Sequence, residues 1–183
     1  TKENARQVVV EIIDSNNSVI ASTSTDDDGA YLLRDLNPNQ NIKIRVLAKM
    51  FKEGSTNWDV KVVDNTNGYA LYVMESSIFS TGTHDSIRNL NASSTTRTAA
   101  PFALLDNVYD GMQKVMGVQS EVAFPPLMVN WSVNNKASGG NIINGDIGTS
   151  YYTNGKLFIL GDASGDSDEY DDHVIAHEWG HYY

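Results

Sequence analysis

The stretch that decides how this chain is read is "TSYYTNGKLFILGDASGDSDEYDDHVIAHEWGHYY", residues 149–183. Three patterns follow one another in it. "TSYYTNGKLFIL" reads as a hairpin, with Asn154-Gly155 as the turn between two short runs of strand-forming residues. An acidic loop from Asp162 to Asp172 comes next. Asp168, Glu169, Asp171 and Asp172 crowd the expected first turn of a helix, where carboxylates favour the positive end of the dipole. Val174, Ile175 and Ala176 supply its apolar face. On that helix His177 and His181 are i and i+4, so both imidazoles leave one side, a turn apart.

Two neutral imidazoles so placed can both reach a zinc ion at ~2.0–2.1 Å. Glu178 is rotated about 100° from His177, too far round to ligate with the pair but able to reach a water in an open coordination position. Zinc lowers the pKa of such a water, and Glu178 would take its proton and pass it to a leaving amine. The His177-Glu178-x-x-His181 pattern therefore makes His177 and His181 the candidate metal ligands and Glu178 the candidate catalytic base. Chance would produce the pattern in a chain of 183 residues well under one time in ~100. The bland alternative is a surface helix with two solvated histidines. His173 cannot share the ion with both, because it stands about 12 Å from His181 along the axis. Gly180 costs roughly 1 kcal/mol against alanine inside a helix, which points to another segment packing close to it.

The composition narrows the classes of function. Of 183 residues 40% are hydrophobic and 20% charged, as in an ordinary folded protein. Cysteine is absent, so only His and carboxylates remain as zinc ligands. A formal net charge of −10 repels phosphate backbones, which argues against nucleic acid as a partner. No run reaches the ~18 apolar residues of a membrane span.

Upstream the texture changes. "QVVVEIID", "SVIASTST", "QNIKIRVLAKM", "WDVKVV" and "YALYVME" read as short strands, and Ile42, Ile44, Val46 and Ala48 alternate onto one face. A further strand is expected through Tyr31 and Leu33, after the Asp27-Asp28-Gly29 turn. Many short strands with turns at this spacing suggest an antiparallel sandwich. Residues 79–97, rich in Ser, Thr and Asn, read as a linker. From Pro101, Leu105, Val108, Met112 and Val115 fall on one helical face, with Gly117 at the expected C′ position. "PLMVNWSV" then reads as a strand and "KASGGNIINGD" as a loop, giving an α+β texture.

Two resemblances attach to these motifs. "VVVEIIDSNNSVIASTSTDDDGAYLLRDLNPNQNIKIRVLA", and "TDDDGAYLLRDLNP" above all, resembles the transthyretin-like, carboxypeptidase-regulatory-like β-sandwich of secreted proteins. That likeness implies an accessory module without chemistry of its own. "TNGKLFILGDASGD…DDHVIAHEWGH" is similar to the thermolysin- and fungalysin-type gluzincins, zinc peptidases in which an Asn-Gly hairpin, a strand ending in Gly-Asp and an acidic loop precede the motif helix. By position it implies zinc on His177 and His181, Glu178 as general base, and Ser150, Tyr151 and Tyr152 as the edge that pairs with an extended polypeptide substrate. The third ligand in those families is a Glu on a later helix, here expected downstream of Tyr183.

The fold expected is thus an all-β transthyretin-like sandwich over residues 1–78, a linker over 79–97, and over 98–183 the α+β N-terminal half of a zincin-type peptidase domain ending in its zinc helix. The function expected is that of an N-terminal fragment of an exported bacterial zinc metalloendopeptidase, extracellular or in the cell envelope, the fragment itself being inactive. Asp162 or Asp166 could instead supply the third zinc ligand, and Asp162, Asp166 and Asp168 could hold Ca²⁺, although their spacing does not fit an EF-hand. A competing reading is a surface binding or adhesion module with a degenerate peptidase-like half.

Overall fold

The computed structural model describes residues 4–183, and over that range the fold is β-rich, with two helices on a mixed ten-stranded sheet. The strands are β1 (Val8–Asp14), β2 (Val19–Ser24), β3 (Asn41–Lys52), β4 (Trp58–Asp64), β5 (Ala70–Leu71), β6 (Val73–Glu75), β7 (Phe79–Ser80), β8 (Leu127–Trp131), β9 (Tyr151–Thr153) and β10 (Lys156–Ile159). The helices are α1 (Ala100–Met116) and α2 (Asp172–Tyr182). The main path through the sheet runs β2-β1-β3-β4-β8-β10-β9.

β3 organises the first part. Its alternate residues Ile42, Ile44, Val46, Ala48 and Met50 are buried, as period two requires of a half-covered strand. One edge pairs antiparallel with β1; the other takes β4 near its C-terminal end and β6 and β7 nearer its start. The stretch "YALYVME" is two strands. At Tyr72 the chain crosses from β4 to β3: Tyr72 N–H donates to Val62 O (3.2 Å) and Ala48 N–H donates to Tyr72 O (2.8 Å). The strand expected through Tyr31 and Leu33 does not form. Tyr31, Leu33 and Leu36 pack against the core from an irregular segment, and the Tyr31 hydroxyl donates to Arg88 O at 2.6 Å. Both edges of β1 are already occupied, by β2 and β3.

The second part builds directly on β4. β8 pairs parallel with β4 from Val60↔Leu127 to Val63↔Asn130, and β10 pairs parallel with β8. The crossover from β4 to β8 carries α1, on whose predicted stripe Leu105, Val108 and Met112 are buried and Val115 is half-buried against the same core. Truncating one such residue to alanine typically costs about 2–5 kcal/mol. Pro101 sits in the first turn as expected, whereas Gly117 caps the helix at φ −65°, so its freedom to turn left-handed is not used. One core runs through the whole assembly and includes Val10, Ile44, Val60, Leu105, Val129, Leu157 and Ile175. On the opposite face of β10 the 132–150 crossover packs Ile147 against Phe158 and Leu160. No helix of the described residues is long and apolar enough to cross a membrane.

Candidate metal centre

The helix bearing the motif is held by specific contacts at both ends and along one side. Asp171 is its N-cap: Oδ1 accepts from the backbone N–H of His173 (3.0 Å) and of Val174 (3.2 Å), satisfying two of the orphan donors of the first turn. Ile175 and Trp179, i and i+4, are buried on the core side, with Tyr182 half-buried one turn on. Tyr182 stands edge-on to Tyr152 of β9 and donates its hydroxyl to Pro125 O; burial pushes its phenol up to about 12.

The opposite face of α2 carries the histidines. His177 and His181 are exposed, their rings are nearly perpendicular at 88° with centroids 4.8 Å apart, and their Nε2 atoms approach to 3.2 Å. Two nitrogens at ~2.0–2.1 Å from a tetrahedral zinc ion stand about 3.3 Å apart, so this pair fits two corners of such a site. The same distance also suits a single N–H···N hydrogen bond between neutral rings. Glu178 lies between the buried and exposed faces, and His173 is exposed in the first turn. Among the described residues no group of three His, Asp or Glu converges on one point, so neither Asp162 nor Asp166 completes the pair.

The acidic loop is a set of anchors. Asp168 and Glu169 precede the helix and are buried, unlike the first-turn position expected of them. Asp168 Oδ2 accepts from Ser150 Oγ (2.6 Å), and Ser150 Oγ accepts from Leu160 N–H (2.9 Å), which ties the loop to the ends of β9 and β10. Burial raises the Asp168 carboxyl, opposed by the Ser150 hydrogen bond. Glu169, 2% exposed, takes two donors from the Arg97 guanidinium on Oε1, including Nε at 2.8 Å. Arg97 also donates to Gly161 O (2.6 Å) and lies over the Trp131 ring at 5.4 Å. Asp162 accepts from Ser164 N–H within its own turn, and Asp166 is exposed. Asp162, Asp166 and Asp168, weighed as Ca²⁺ ligands, therefore do not gather into a cage among the described residues.

β9 is the terminal strand of the sheet. Asn154 (φ 45°) and Gly155 (φ 76°) form its turn, the left-handed pair that a two-residue hairpin demands. In such a hairpin the closing pair Thr153/Lys156 exchanges hydrogen bonds, so the next pair, Tyr152/Leu157, does not. The backbone N–H and C=O of Tyr152 therefore face the open edge. The Tyr151 ring stacks on Phe158 across the far face at 4.9 Å, and the Ser150 side chain is buried in its bond to Asp168.

Gly180 is exposed and a Cβ there would meet nothing within 4 Å, against the close approach expected. The close approach is at Gly111 instead, which Trp179 covers. Arg97 also escaped the sequence: an Arg at the end of a Ser/Thr-rich stretch carries no periodic or motif signal. Compared with known proteins, the chain matches no family model, and no curated protein or solved structure matches it significantly.

Proposed function

We propose that the protein is the zinc-binding part of an exported metallopeptidase, acting on polypeptides. The observation that carries this reading is the 3.2 Å approach of two exposed imidazole Nε2 atoms on a helix capped and buried on its other side. His177 and His181 would hold the ion, with a third ligand from outside the described residues. Bound zinc would supply Lewis acidity and a water acidified to near neutrality. Glu178, one position past His177, would act as the general base toward a water at that site and pass the proton on to the leaving amine. The free backbone groups of Tyr152 would align an extended peptide by strand addition, with Ser150 and Tyr151 fixing the strand's pose.

Residues 1–78, read as the transthyretin-like accessory module, would serve as a scaffold, because β4 supplies the strand on which β8 and then β10 and β9 are laid. The 79–97 segment contributes through Arg97. The second reading, a binding or adhesion module with a degenerate peptidase half, is favoured by one observation: no third ligand stands near the pair among the described residues. Casein digestion by the protein in its longest natural form, beside its Glu178→Ala variant, separates the two. Loss of activity in the variant is expected; equal digestion by both would sink the catalytic assignment.

A further inference from the structure

We infer that zinc joins two copies of this chain through their His177/His181 pairs, giving a four-histidine site that the described residues of one copy do not complete alone. The inference rests on zinc binding by the pair but not on peptide hydrolysis. Each chain presents two nitrogens at the spacing of two tetrahedral corners and, among the described residues, no third ligand. A second copy supplies the missing two in the same geometry, related by a two-fold axis through the ion, the commonest symmetry of soluble dimers.

The surface around the pair permits the approach. Ala176 and Gly180 flank the imidazoles on the exposed face of α2, and the space a side chain on Gly180 would fill is open. A helical glycine with nothing packed on it costs stability in the single chain, and an unobstructed face suits entry of another copy's imidazoles. Charge opposes pairing, since each copy carries a formal net charge of −10. Salt screens that repulsion, so added salt strengthens the dimer. A closed four-nitrogen site also leaves no position for water, so pairing withdraws the zinc from hydrolysis.

The test is the solution mass of the chain by light scattering after gel filtration, with zinc chloride alone and then with EDTA. The expected result is a shift from 20.1 kDa to about twice that mass, one zinc per two chains, reversed by EDTA and lost in His177→Ala and His181→Ala. His173→Ala and Glu178→Ala should still pair. Zinc bound at one per chain without a mass change would overturn the inference while leaving the peptidase reading intact. Pairing that survives His177→Ala would overturn it as well, and pairing kept in a Glu178→Ala protein that digests casein normally would sink the peptidase reading alone.

Discussion

Trp179 of α2 lies on Gly111 of α1 so closely that a methyl group on Gly111 would stand 2.7 Å from the indole Cε3. The glycine in mid-α1 is there to seat the indole. Between them the two residues fix the helix bearing the histidines against the helix that covers the sheet.

Gly111→Ala sets two effects against each other. Alanine gains about 1 kcal/mol in helix propensity, while forcing a methyl into a closed ring contact costs about 1–3 kcal/mol. Because the indole is rigid and itself buried, the steric effect wins, and the variant should melt below the wild type. Gly180→Ala meets open space and should be neutral or stabilising by up to about 1 kcal/mol, less so near the helix end. Thermal unfolding of the two variants side by side checks the assignment, and a stabilised Gly111→Ala would contradict it.

Arg97→Ala would leave Glu169, 2% exposed, as a buried charge with no partner. Breaking a buried ion pair from one side costs about 3–5 kcal/mol, whereas replacing both partners by apolar residues can be near neutral. Urea unfolding should therefore show a large loss for Arg97→Ala and a substantial recovery in Arg97→Met/Glu169→Leu. Equal stabilities for the single and double variants would mean the pair does not hold the loop.

Asp168 gives a pH signature. Its carboxyl is raised in the folded protein because burial disfavours its charge. An acid raised on folding contributes stability that is fully present below its unfolded value, about 3.9, and is lost as pH climbs through the folded value. Asp168→Asn keeps an acceptor for the Ser150 hydroxyl and removes the titration. The stability of the variant relative to wild type should rise with pH above about 4, measured by urea unfolding across that range. A difference that stays flat would show that Asp168 does not titrate differently on folding.

What the sequence disclosed depended on periodicity and on local turn chemistry. β1 and β4 follow from runs of strand-forming residues, β3 from alternation and α1 from the stripe Leu105, Val108, Met112 and Val115, and the 154–155 turn follows from residues able to adopt positive φ. The histidine pair was legible because i, i+4 spacing on a helix is enough to bring two rings together. The partners of Asp168, Glu169 and Gly111 were not legible: Glu169 meets Arg97 across 72 residues and Gly111 meets Trp179 through packing of two helices. The parallel pairing of β4 with β8 was hidden for the same reason, since nothing local to either strand marks its neighbour.

The most direct test of the central claim is the zinc affinity of this chain by competition with a chromogenic chelator at neutral pH. The account predicts zinc binding that disappears in His177→Ala and in His181→Ala and persists in His173→Ala and Glu178→Ala. Binding that is unchanged in His177→Ala, or no binding by the wild type, would contradict it.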